Sequence, residues 1–312
     1  MADIASEAKI RAEDTWTLSA SKLSVYLWDE AWKHAPQVVE GDAHALHQMR
    51  VALRRLRSLL ENCAHPDMEG TAIAPHIAEE MLYERRALGK LGDALGAVRD
   101  FDVLDDYLQT YSKELLFSAV EAHPGLAKFD QFLRSEREGN FAPMVRRIER
   151  ADRPHKGRED FARWAHSLAG VREPQMPLSE AAPQVLALRI DEALAMGHVL
   201  QSEDEEEQHE LRKSLRRLRY TLEAFDPAFG KTKPFVKALV ALQDTLGEMQ
   251  DRTVLRGMLR ACFREKSLQK LPEDARLFAE YGDRRREELL QKVRADWAQH
   301  ETSGFWDEMR AI

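Results

Sequence analysis

The chain has 312 residues, 44% of them hydrophobic and 32% charged, with a net charge of −8. That length holds one large domain or two of ordinary size, and the apolar content is enough for a real core. The charge density argues against a membrane protein, since no apolar run approaches the ~20 residues of a spanning helix, and the acidic balance taken alone argues against a polyanion binder. The first residues, MADIASEAKIRAED, are charged from the third position and lack a secretory apolar core, which reads as a cytoplasmic protein. Cys63 and Cys262 lie in no CxxC or Cys/His cluster. They are expected to be small packed residues rather than zinc ligands or a disulfide.

Helical periodicity dominates and no stretch alternates convincingly with period two, so the expected class is all-α. A helix is predicted at about 14–34, ended by Pro36, and another from Asp42 to about 63, ended before Pro66. A long helix follows at about 73–108 with Pro75 in its first turn, and shorter helices fill 111–150. Residues 151–182, rich in proline and charge, read as a connection with one helix near 160–169. Helices near 183–200, 203–225, 234–264 and 273–300 then repeat the plan. Ser202 is a natural N-cap, and the acids of 203–207 suit the positive end of that helix, a blander reading than a metal site.

The chain contains one motif twice. HQMRVALRRLRSLLE begins at His47 and HELRKSLRRLRYTLE at His209, and nine of the fifteen positions are identical. A second pair, LGDALGAVRDFDVL (91–104) and LQDTLGEMQDRTVL (242–255), keeps the same order. The first half carries 11 more residues between its motifs, expected around 64–75. The expected organisation is a single domain over 1–312 made of two four-helix bundles. The halves are about 1–155 and 178–312, packed about a pseudo-twofold axis and joined by 151–182.

At 100° per residue from His47, Arg50, Arg54 and Arg57 fall at about 300°, 340° and 280°, beside the leucines at about 180–240°. The stripe His47–Arg50–Arg54–Arg57 is therefore continuous and about 15 Å long. His209, Arg212, Arg216 and Arg219 repeat it, and Lys213 and Tyr220 extend that copy. Arg55 and Arg217 lie further round the helix and rank second. Residues 50–57 hold four arginines and no acid, and the copy at 212–219 adds a lysine. A solvated helix face would intersperse acids at i±4; here only Glu61 and Glu223, at the far ends, fit. Arginine offers planar bidentate donors at any physiological pH, and an adjacent polyanion would favour protonated histidine. An anion site is expected, and an elongated anion would use its whole length.

Asp93, Gly96 and Asp100 share one helix face, as do Asp244, Gly247 and Asp251. The aspartates are expected to hold arginines in place and the glycines to allow close approach. Metal ligation is disfavoured. His44 precedes His47 by three, but His209 has no such partner, and Asp102 of Asp100-Phe-Asp102 faces away and has Thr253 as its counterpart. No cofactor is expected.

The doubled H-x-x-R-x-x-x-R-R-L-R motif, each copy followed by its LG/D segment, resembles the CHAD family over roughly 14–300. That resemblance implies two four-helix bundles with a basic central groove or pore. It also implies non-catalytic binding of inorganic polyphosphate and association with polyphosphate granules. By position it would assign binding to His47, Arg50, Arg54, Arg57, His209, Arg212, Lys213, Arg216, Arg219 and Tyr220. Some members carry a catalytic triphosphate tunnel domain marked by ExExK, a motif not found here. Two alternatives stay open. An RNA- or nucleotide-binding module would need stacking aromatics, and only Tyr220 lies near the stripes. A metal-dependent phosphohydrolase would need a nucleophile or a carboxylate cluster among the arginines. The clusters Arg85-Arg86 with Lys90 and Arg284-Arg285-Arg286 read first as solvated faces and second as extensions of the basic surface.

Overall fold

The computed structural model describes residues 4–68, 70–155, 157–172, 175–202 and 204–312. Among the described residues the regular structure is helical, and β-pairing is limited to one isolated bridge between Thr15 and Pro177. The α-helices are α1 (Ile4–Glu7), α2 (Trp16–Lys33), α3 (Ala35–Val39), α4 (Ala43–Cys63), α5 (Pro75–Leu115) and α6 (Pro124–Ala151) in the first half. They continue as α7 (Gly157–Ser167), α8 (Leu178–Ala195), α9 (Glu205–Ala224), α10 (Lys233–Phe263), α11 (Glu273–Thr302) and α12 (Phe305–Arg310). In each half four long helices pack in chain order: α2 on α4, α4 on α5, α5 on α6, then α8 on α9, α9 on α10, α10 on α11.

Local chemistry sets the boundaries. The Asp42 side chain caps α4 by accepting from the Ala45 amide at 2.7 Å. Proline opens α5, α6 and α10, where its missing N–H costs nothing. Four expectations shift. The N-cap of α9 is Asp204, whose carboxylate takes the amides of Glu206 and Glu207, while Ser202 lies just before it and accepts from Asp204; Glu203, counted in the expected acidic run, lies outside the described residues. Region 111–150 is not a set of short helices: α5 continues to Leu115 and α6 is one helix of 28 residues running through Pro143. Helix α8 starts at Leu178, so Pro183 sits inside it, close to the start, and forfeits a single backbone bond. The extra residues between the first-half motifs are mostly helix, an earlier start of α5, because the connection 64–74 is only slightly longer than 225–232.

The buried side chains form three cores. α4 gives Leu46, Met49, Leu53, Leu56 and Leu60 to one; α9 gives Leu211, Leu215, Leu218 and Leu222 to another. Each such leucine contributes ~1.5–3 kcal/mol. The third core spans the halves: Leu104 and Leu108 of α5 and Phe129 of α6 meet Leu255 and Leu259 of α10 and Phe278 of α11. The halves also meet where α4 packs on α9. There Arg189 is only 2% exposed, so its charge must be fully partnered. Its Nε donates to Asn62 Oδ1 at 2.8 Å and its Nη1 to both Glu192 oxygens at 2.7 Å. Asn62 Nδ2 in turn donates to Thr221 Oγ1 at 2.8 Å. Cys63 is fully buried and burial pushes its thiol well up; Cys262 is half-buried. No described helix is long and apolar enough to cross a membrane.

Candidate functional site

Helices α4 and α9, joined side by side, face α5 and α10 across an open cavity of about 730 Å³. Because each motif helix turns its leucines into its own core, the neighbouring polar stripe is left at the junction. Both stripes therefore line one shared cavity: His47, Arg50, Arg54 and Arg57 from α4, with His209, Arg212 and Arg216 from α9. The three other predicted residues do not line it. Lys213 pairs with Glu210 at 2.5 Å. Arg219 turns to Glu223 at 3.4 Å and stacks over the Tyr220 ring, 4.7 Å from its centroid. Tyr220 is buried, and its hydroxyl accepts from Arg54 Nε at 3.0 Å, so it orients an arginine of the other half.

The repeated glycines make room for the arginines. A Cβ on Gly96 would stand 3.4 Å from the Arg50 guanidinium, and one on Gly247 would stand 3.1 Å from that of Arg212. Equivalent aspartates sit beside them. Arg50 reaches Asp100 at 3.2 Å, and Arg212 feels Asp251. Arg57 lies over Gly89 and Gly92 with Asp93 near. The second copy carries Val240 and Gln243 where the first has these glycines, so Arg219 has no matching bed.

Charges of one sign converge here. Burial and then Arg54 depress the Arg212 guanidinium, with Asp251 opposing. Burial, Arg54 and Arg212 bring Arg216 down to about 9, so it stays charged at neutral pH. Burial followed by Arg99, Arg54 and Arg50 lowers His47; burial followed by Lys213, Arg212 and Arg216 lowers His209. Burial alone would raise the Tyr220 phenol, but Arg54, Arg219 and Arg55 outweigh it and hold it below its ordinary value. His209 Nδ1 and the Nε atoms of Arg57 and Arg212 are buried without a hydrogen-bond partner, as are the Nε atoms of Arg55, Arg217 and Arg219 on the bracing side.

A different set of arginines braces the halves. Arg55 of α4 pairs with Glu223 of α9 at 3.1 Å, and its equivalent Arg217 approaches Glu61, the equivalent of Glu223, at 3.8 Å. The terminal glutamates of the motif thus cross to the opposite copy. Arg85 also binds Glu61, at 2.7 Å, and Arg285 binds Glu248 at 3.0 Å, so these members of the outer basic clusters are tied to acids. Asp102 is held by Arg137 at 2.5 Å and Arg99 at 3.8 Å, away from the cavity. Among the described residues no group of three or more His, Cys, Asp or Glu could hold a metal ion.

A family model described as the CHAD domain matches residues 27–260, a span that includes both copies of each motif. The chain belongs to the CHAD domain family. Two solved structures share its fold. The CHAD domain from the plant Ricinus communis is 23% identical with a TM-score of 0.63, covering 97% of this chain and 92% of that one. PptA from Streptomyces chartreusis is 15% identical with a TM-score of 0.63, covering 92% of this chain and 98% of that one. At these identities the likeness speaks for the fold alone. No curated protein matches the chain. Within this CHAD chain one charged residue of the cavity lining escaped the sequence reading: Arg99, which acts on His47. Its counterpart is Gln250, so a search for duplicated cations passes over it. The visible signal was its place at i+3 from Gly96, on the face that carries Gly92 and Gly96.

Proposed function

We propose that this protein binds inorganic polyphosphate without catalysis, its two halves, about 1–155 and 178–312, acting as one binding unit. The observation that carries the reading is the convergence of two arginine stripes on one cavity. Arg54 and Arg216 face each other there, and Arg216 has no carboxylate partner among the described residues. A small anion would satisfy part of a ~15 Å stripe, whereas a linear polyanion satisfies its length. The known role of the CHAD family, polyphosphate binding, supports the same ligand. The direct binders would be His47, Arg50, Arg54, Arg57, His209, Arg212 and Arg216, with Tyr220 positioning Arg54. Lys213 and Arg219 would act only after leaving Glu210 and Glu223. In the cell this binding would bring the protein to polyphosphate granules.

The test is competition of long-chain polyphosphate, orthophosphate and RNA for one labelled polyphosphate probe. Polyphosphate should win by orders of magnitude, with affinity falling steeply as salt rises. Arg54→Ala with Arg216→Ala should abolish binding and, in a fluorescent fusion, granule localisation. Preference for RNA, or equal binding of orthophosphate, would overturn the ligand. Phosphate release with Mg²⁺ that a stripe substitution abolishes would overturn the non-catalytic reading.

A further inference from the structure

The two long walls of the cavity are not equivalent. Where α5 presents Gly92, Ala94, Ala97 and Arg99, the aligned positions of α10 carry Gln243, Thr245, Glu248 and Gln250. Glu248 is braced by Arg252 at 3.1 Å and Arg285 at 3.0 Å. Of these α10 residues only Gln250 lines the cavity: Gln243 donates to the Leu215 carbonyl of α9, Thr245 accepts from Lys292 of α11, and Glu248 is held by Arg285 of α11, so α10 is tied to its neighbours where the α5 wall is low. Asp93 and Ala97 border the cavity and also border a second groove, of about 340 Å³, between α5 and α6. Lys90 and Arg147 line that groove. Both are exposed, and neither has a carboxylate within ion-pairing distance among the described residues. Behind His209 the opposite passage shrinks to about 10 Å³, room for no more than one water. Past it, Arg256 and Arg286 are closed on Glu205.

We propose that a polyphosphate chain longer than the cavity leaves it over the low wall at Ala97 and continues along the α5–α6 groove, held by Lys90 and Arg147. The inference rests on the binding reading above and gives the bound chain an exit on the α5 side. Affinities for tripolyphosphate and for long-chain polyphosphate test it. They are measured on the parent, on Lys90→Ala/Arg147→Ala, and on Lys231→Ala/Lys233→Ala, which removes the same charge from exposed positions at the start of α10. The exit variant should bind long chains about tenfold more weakly, with a shallower salt dependence. Its tripolyphosphate affinity should stay within about twofold of the parent, and the Lys231/Lys233 variant should keep both affinities. Unchanged long-chain affinity in the exit variant, an equal loss for both chains, or the same loss in the Lys231/Lys233 variant overturns the exit. A parent that binds neither chain overturns the binding reading itself and the exit with it.

Discussion

Replacing Arg216 by methionine should make the free protein more stable while destroying its affinity for polyphosphate. The guanidinium is held among Arg54, Arg212 and Arg217 in a desolvated position, and its pKa falls from the ordinary arginine value to about 9. At ~1.4 kcal/mol per tenfold change in acidity, that displacement is about 4–5 kcal/mol of unfavourable charge. Water and counter-ions in an open cavity screen much of it, leaving about 1–3 kcal/mol. Methionine keeps an unbranched apolar stem, so little packing is lost. At ~2 °C per kcal/mol for a chain of this size, the melting midpoint should rise by about 2–6 °C. Calorimetric melts in phosphate-free, low-salt buffer measure this. Added long-chain polyphosphate at ~100 times Kd should stabilise the parent by about 2.7 kcal/mol and the variant far less. Higher salt should shrink the gap between the two free proteins. A variant that melts below the parent at low salt, with unchanged helicity, would refute the claim that the cavity arginines repel one another in the empty protein.

Three further outcomes follow from the same geometry. Gly247→Ala removes a mid-helix glycine worth ~1 kcal/mol, and its Cβ would press on the Arg212 guanidinium at 3.1 Å; melting should rise or hold while polyphosphate affinity falls several-fold, and unchanged affinity would refute the bedding role of the glycine. Tyr220→Phe removes the acceptor for Arg54 Nε and should cost about 1 kcal/mol of binding, roughly fivefold, with helicity and melting nearly unchanged; titration calorimetry on both proteins checks it. His47 and His209 are lowered in the free protein, and a bound polyanion raises them, so binding should take up protons in the window between the free and bound values, and affinity should fall as pH rises through the bound values. Calorimetry in two buffers of different ionisation enthalpy would show that uptake, and its absence, or its persistence in the His47→Gln/His209→Gln variant, would contradict it.

The all-α class and seven of the eight long helices were legible because each carries a long apolar period bounded by a cap or a proline; α6 was not, because Pro143 within it reads as a break. The stripes were legible because duplication kept His47, Arg50, Arg54 and Arg57 beside their copies. Their meeting in one cavity was not, since it depends on α4 packing on α9 and on a third core between α5 and α10, contacts between segments far apart in sequence. The divergent fates of Arg57 and Arg219 also escaped the helical projection. Angle places both at the stripe's edge, but Arg57 has Gly89 and Gly92 beneath it, whereas Arg219 would meet Val240 and Gln243 and folds back on Glu223. Tyr220 looked like part of the stripe by its angle; burial turns it into a partner of Arg54.

The repeated motif reconciles two demands that conflict on a single helix face. Binding a polyanion calls for arginines without acids beside them, and joining two halves calls for arginines with acids. One face of the motif carries the first kind, Arg54 and Arg216, flanked by Arg50 and Arg212, whose acids Asp100 and Asp251 come from the facing helices and not from the motif. The next face carries the second, Arg55 with Glu223 and Arg217 with Glu61, each pair crossing between copies. Because the glutamates are bound on the bracing side, they neutralise the joint and leave the cavity charge intact. The repulsion that remains in the cavity is then borne by the joint, by the Arg189–Asn62–Thr221 hydrogen bonds and by the third core. A duplicated chain can thus keep a concentrated positive field, and on the proposed reading a bound polyanion would offset the repulsion that this field costs the free protein.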